Sequence, residues 1–179
     1  MMTILSGSRM ENCMPFSTAL STGFPKNGFY TMMRQDNQWG FVHKDTMEPV
    51  GDVWFDQVRP FNDGFATVCK NEKWTYMDMD GKLLGDLIFD EVADWSHGFG
   101  AARLKRTWRY MDKEGVLHGK YSRATQFKNG FAGVAIGKKH YFINSSFEKE
   151  HGPFDYASNI LIGGTAIVRD ADGQRVMLL

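Results

Sequence analysis

Few residues in this chain have types that could do chemistry, and their spacing argues against most of it. Asp78-Met79-Asp80-Gly81 has the opening of a calcium loop, in which alternate acidic oxygens would face the ion. The twelfth position, where a bidentate glutamate must close such a loop, holds Phe89, so the segment reads as a hairpin turn. Five histidines, His43, His97, His118, His140 and His151, are scattered without metal-ligand spacing, and Glu150-His151 is a lone pair. Cys13 and Cys69 are too few for a disulfide framework and form no CxxC pair. A nucleophile elbow, a glycine-rich loop opening a helix and paired catalytic carboxylates are all missing from the sequence. The expectation is a protein with no catalytic residue, no metal site and no cofactor.

Two sets of residues could bind rather than react. Lys70 and Lys73, Lys105 and Arg106, and Lys138 and Lys139 occupy three polar connections at matching places in the chain. If those connections lie side by side, the six charges form a basic row suited to an acidic protein partner. Asp52, Asp56, Asp63, Asp86, Asp90, Glu91 and Asp94 would then concentrate elsewhere, giving a two-sided charge distribution. The plainer use of such lysines is to solubilise exposed turns and block edge pairing. Trp54 stands outside the chain's other aromatic series and is free to stack on a sugar ring; Trp95 aligns with Phe61 and Phe127 and reads as core. Asp56, Asp90 and Asp155 each follow an aromatic residue, and repetition at equivalent places suits a turn or cap hydrogen bond better than catalysis.

The elements that must position these residues follow from the rest of the chain. Its 179 residues suit one domain or one array of small units. Lys plus Arg equals Asp plus Glu at 21 each, which argues against bulk electrostatic capture of nucleic acid or anionic membrane. A hydrophobic content of 42% is enough for a packed core. Met1 to Leu5 has no basic start and too short an apolar run for a signal peptide, and no stretch of about 18 apolar residues occurs. The expected location is the cytoplasm, with secretion that needs no cleaved signal left open.

One pattern recurs. Gly64-Phe65-Ala66-Thr67-Val68 matches Gly98-Phe99-Gly100-Ala101-Ala102 and Gly130-Phe131-Ala132-Gly133-Val134, with weaker copies at Gly28-Phe29 and Gly164-Thr165. The glycines are 36, 34, 32 and 34 residues apart. A second marker follows each: Trp39-Gly40-Phe41-Val42, Trp74-Thr75-Tyr76-Met77, Trp108-Arg109-Tyr110-Met111, His140-Tyr141-Phe142-Ile143 and Gln174-Arg175-Val176-Met177. A third precedes the glycines: Phe55-Asp56, Phe89-Asp90, Tyr121-Ser122 and Phe154-Asp155. Three markers in step at a period of about 34 residues mean a tandem array. Ala66/Val68, Gly100/Ala102, Ala132/Val134 and Ala166/Val168 alternate with a period of two and keep one face small, as in a strand packed closely on a neighbour. Asp80-Gly81 and Glu114-Gly115 supply the reversals. The prediction is all-β: hairpin or three-stranded units of about 34 residues stacked in an open, twisted array. A closed, five-bladed propeller-like ring is the alternative. Residues 1–15 form an extension and 16–179 a single repeat domain. A recurring Trp and Phe spine joins the units, and the apolar run from Val176 to Leu179 needs cover.

These markers resemble the WG-repeat (KWG-repeat) proteins, common in bacteria. The resemblance covers about residues 16–179, in about five repeats. Only the first copy keeps glycine after tryptophan, and His140 and Gln174 replace the tryptophan in the last two, degenerate copies. It implies a β-repeat scaffold without assigned catalysis and supplies neither ligand nor catalytic residues. The functional expectation is a non-catalytic module that binds another protein, as an inhibitor, immunity factor or effector. A glycan or small-molecule binder using exposed aromatics is the alternative.

Overall fold

The computed structural model describes residues 30–35, 37–46 and 48–179, and every regular element in them is a β-strand. The extension boundary at residue 15, Cys13 and the first Gly-Phe copy lie outside the described residues. Five antiparallel sheets follow one another along the chain. Sheet 1 pairs β1 (Tyr30–Gln35) with β2 (Gln38–His43). Sheet 2 contains β3 (Gln57–Asn62), β4 (Phe65–Lys70), β5 (Lys73–Asp78) and β6 (Leu83–Phe89). Sheet 3 contains β7 (Glu91–Val92), β8 (Gly100–Leu104), β9 (Thr107–Met111) and β10 (Leu117–Tyr121). Sheet 4 has β11 (Arg123–Ala124), β12 (Phe131–Ile136), β13 (Lys139–Asn144) and β14 (Lys149–Phe154). Sheet 5 has β15 (Tyr156–Ala157), β16 (Thr165–Asp170) and β17 (Gly173–Leu178).

Each sheet packs on the next along the chain, no sheet closes on itself into a barrel, and the outer face of sheet 5 is uncovered among the described residues, with Val176 69% and Leu178 74% exposed. The open array of β repeats is therefore the architecture. Its complete sheets carry four strands, one more than the three-stranded unit expected. The segment Phe89-Asp90-Glu91-Val92 belongs to two strands: β6 ends sheet 2 at Phe89 and β7 opens sheet 3 at Glu91.

The register explains the markers. Trp39, Trp74, Trp108 and His140 pair across strands with Phe55, Phe89, Tyr121 and Phe154, so the second and third markers are cross-strand partners. The residue after each of those aromatics starts the next sheet. The backbone N–H groups of Asp56, Asp90, Ser122 and Asp155 donate to the carbonyls of Cys69, Arg103, Ala135 and Arg169 at 2.7–2.9 Å. The chain thus steps from one sheet to the next within a single dipeptide.

Packing between sheets sets large residues against small ones. Phe41, Tyr76, Tyr110 and Phe142, two residues beyond the tryptophan marker, are at most 2% exposed. They face incoming strands whose Ala66 and Val68, Gly100 and Ala102, Ala132 and Val134, and Ala166 and Val168 keep room for a ring. Four apolar clusters result, one at each junction. At Gly100 the fit is so close that an added Cβ would lie 2.4 Å from Tyr76 Cζ. The Tyr76 hydroxyl donates within reach of the Ala93 and Ala101 carbonyls (2.7 and 2.9 Å), and the Tyr110 hydroxyl donates to the Thr125 carbonyl at 2.7 Å. The tryptophan spine expected from sequence is corrected here. Trp39, Trp74 and Trp108 are half-buried at the flank, with the Arg59 guanidinium 4.8 Å from the Trp74 ring centre, while the Tyr and Phe two residues later form the buried column.

Candidate functional site

The β4–β5, β8–β9 and β12–β13 turns carry the six basic residues singled out from sequence. Each tip must satisfy its own backbone, and the repeated aspartates help to do so. Asp56 Oδ2 accepts from the Asn71 amide at 2.7 Å, and Asp90 Oδ2 accepts from the Lys105 amide at 2.6 Å. Their equivalent in sheet 4 is Ser122, whose hydroxyl donates to the Ala135 carbonyl at 3.1 Å. Asn71 and Lys105 have positive φ angles of 51° and 57°, so a fixed acceptor helps hold a strained tip.

Asp90, and Asp155 at the equivalent place in sheet 5, reach back to the tip before. The Lys73 ammonium donates to Asp90 Oδ1 at 2.6 Å, and the Lys139 ammonium donates to Asp155 Oδ1 at 2.5 Å. The hydrogen bond from Lys73, with the Lys105 amide behind it, holds the Asp90 carboxyl below the usual range. Asp155 is lowered in the same way by Lys139, and Lys139 is raised by Asp155. Such exposed pairs contribute little stability, but each removes a free cation from the surface.

The structure therefore divides the basic row. Lys73 and Lys139 are paired. Lys70, Lys105, Arg106 and Lys138 have no carboxylate partner for their side chains among the described residues. The two-sided charge distribution is also corrected: Asp56 and Asp90 sit at the same tips as the lysines rather than away from them. Asp94 pairs with Arg59 at 3.2 Å, Glu91 with Arg103 at 2.9 Å, and Asp63 accepts from the His97 amide at 2.7 Å.

Ser122 is the break in this series. It stands where Asp56, Asp90 and Asp155 stand, and the residue that would pair with such an aspartate, Lys73 before Trp74 and Lys139 before His140, is Thr107 before Trp108, so the junction of sheets 3 and 4 carries neither half of the pair. Sequence reasoning quoted Tyr121-Ser122 as a repeat marker and missed its electrostatic consequence. The signal was the missing charge in an otherwise acidic column.

The other candidates are placed plainly. Trp54 is half-buried, and an added Cβ at Gly40 would meet its ring at 2.7 Å, so the glycine of the first Trp-Gly marker makes room for that ring. Trp95, Phe61 and Phe127 are core residues at 2%, 3% and 2% exposure. Asp78 Oδ1 accepts from the amides of Asp80 and Lys82 at 3.0 and 2.9 Å, which makes the calcium-like segment a capped turn; Asp112 and Asn144 repeat the arrangement. His140 is half-buried, and burial with the nearby Arg123 charge lowers its pKa. Cys69 is a free thiol buried in β4, its pKa raised mainly by burial.

The model of the WG containing repeat matches residues 39–74, 74–108 and 108–139, the first two matches running from one tryptophan to the next and the third from Trp108 to Lys139. No curated protein matches the chain. Among solved structures, Hsv2 of Kluyveromyces lactis aligns at 9% identity with a TM-score of 0.47, covering 87% of this chain and 58% of that one. A protein of unknown function from Bacteroides caccae aligns at 14% identity with a TM-score of 0.35, covering 78% of this chain and 66% of the other. The chain thus spans little more than half the length of Hsv2.

Proposed function

The chain belongs to the WG-repeat family, and from that membership we propose that it is a non-catalytic interaction module that binds an acidic surface of another protein. One observation carries the reading. At the third sheet's tip the lysine–aspartate pair of the neighbouring junctions is missing, with Thr107 and Ser122 in its place, and the Lys105 and Arg106 side chains have no carboxylate partner among the described residues. Lys70 and Lys138 flank them on the neighbouring tips. The contact is electrostatic and acts chiefly on association rate and specificity, so it weakens as salt rises. An inhibitory, immunity or effector role is the biological form we propose for this contact.

The test compares four proteins as bait at low and moderate salt: wild type, Lys105→Glu/Arg106→Glu, Ser122→Asp and Lys113→Glu. Lys113 lies in the β9–β10 turn, away from the row. The expected result is a partner that is captured by wild type and Lys113→Glu and lost from the other two. Ser122→Asp restores the aspartate that sheets 2, 3 and 5 carry, so it changes charge while keeping the repeat's own geometry. A partner retained by both charge variants would overturn the reading.

A further inference from the structure

We propose that the junction between sheets 2 and 3 holds a binding site for a small organic anion, with a carboxylate or phosphate head and a compact apolar body. This goes beyond the protein-binding reading and stands independently of it. A cleft of about 440 Å³ opens there, within the range of small-ligand sites. Its floor is apolar: Phe89 from β6, and Leu104 and Leu117 from sheet 3. Its cationic side chains are Lys105, Arg109 and Lys120. None of the three has a carboxylate partner for its side chain among the described residues; Asp90, the carboxylate at this tip, is engaged by the Lys73 ammonium and the Lys105 backbone amide.

The repeat shows that this arrangement departs from its neighbours. Arg109 pairs across strands with Ala102, on the face that packs toward sheet 2. The equivalent residue one repeat earlier is Thr75, paired with Val68, fully buried, its hydroxyl donating to the Leu84 carbonyl at 2.9 Å. One repeat later it is Tyr141, with the Lys149 ammonium 4.6 Å from the ring centre. In sheet 5 it is Arg175, exposed and paired with Asp170 at 2.7 Å, so among the described residues only sheet 3 puts into the junction a half-buried guanidinium of this column that has no carboxylate partner. Three like charges lining one cleft repel one another, and an anion relieves that repulsion while the guanidinium offers two parallel donors. The apolar lining, in which Leu104 is 41% exposed and Leu117 half-buried over the buried Phe89, selects for a ligand with a hydrocarbon or aryl portion over a bare ion.

The experiment titrates the isotope-labelled protein with phenyl phosphate, phenylpropionate, inorganic phosphate and the uncharged phenylpropanol, following backbone amide shifts. The expected result is saturable binding of at least one aryl anion, with shifts at Leu104, Arg109 and Leu117. Inorganic phosphate and phenylpropanol should bind about tenfold or more weakly, since each lacks one half of the recognition. Which aryl anion binds tighter identifies the head group. Arg109→Thr, which installs the residue sheet 2 already accommodates, should weaken the aryl anion about tenfold while the melting temperature holds. Lys138→Gln, on another tip, should leave binding unchanged. No saturable aryl-anion binding to wild type overturns the site. So does inorganic phosphate binding as tightly as phenyl phosphate, or Arg109→Thr retaining full affinity.

Discussion

Tyr110 and Val176 occupy the same place in their repeats, two residues beyond the second marker, and their surroundings could hardly differ more. Tyr110 is completely buried between sheets 3 and 4, while Val176 in sheet 5 is 69% exposed. Both lie on strands paired by full antiparallel ladders. The strand itself is therefore not what buries the residue; the next sheet is. In sheets 1 to 4 that position holds a ring because a small-residue face follows, and in sheet 5 no further sheet covers it among the described residues. Leu178, on the same face of β17, is 74% exposed for the same reason. The drift of the markers follows this logic, since Gln174 and Val176 replace the Trp and aromatic of the earlier copies just where no neighbour needs them.

The comparison is sharpest when both residues are cut back to alanine. Tyr110→Ala should cost about 3–5 kcal/mol, because the ring fills a junction that cannot collapse and its hydroxyl leaves the Thr125 carbonyl without a donor. Val176→Ala should stay within about 0.5 kcal/mol, as exposed substitutions do. Urea denaturation of the two variants checks this, and equal losses would mean that sheet 5 is buried in solution by something else. Next in size is Gly100→Ala. The added methyl would enter the Tyr76 and Trp95 rings at 2.4 and 2.7 Å, an overpacking worth about 1–3 kcal/mol. The contrasting Gly98→Ala meets no atom within 4 Å but sits at a φ of 84°, so it costs about 1 kcal/mol through backbone strain alone. If Gly98→Ala proved the more damaging, close seating of tyrosine on glycine would not be the organising contact of the junction.

Much of this was legible in the residues, and the reasons are physical. Small-residue alternation at Ala66 and Val68 is a local signal with a period of two, and it located both the strand and the face that packs. The fourth strand of each sheet was not legible. β7, β11 and β15 are two residues long, too short to show any period, and β6, β10 and β14 are interrupted by register shifts beside Gly85, Gly119 and Gly152. Charge pairing was hidden for a different reason. Asp90 lies 17 residues from Lys73, so their contact depends on how the chain steps between sheets. Arg109 was visible as a departure from the Trp-Gly pattern, yet its meaning required knowing that this column faces the preceding sheet.

The smallest predicted effect compares the tip that keeps its aspartate with the tip that lost it. Asp90 is held ionised chiefly by the Lys73 ammonium and then by the Lys105 amide, so its folded pKa lies below its unfolded one. The sign follows directly: the stabilisation is fully present above the unfolded aspartate pKa and is lost as pH falls through the lowered folded value. Wild type should therefore melt slightly higher than Asp90→Asn near neutral pH, and the gap should close in strong acid. Ser122→Ala removes no carboxylate, so its offset from wild type should stay flat across the same acid range. Thermal melts of the three proteins from neutral to strongly acid pH read this out. A gap for Asp90→Asn that persists undiminished in acid would show that the side chain's shape rather than its charge holds the tip, and the contrast with Ser122 would then lie in geometry alone.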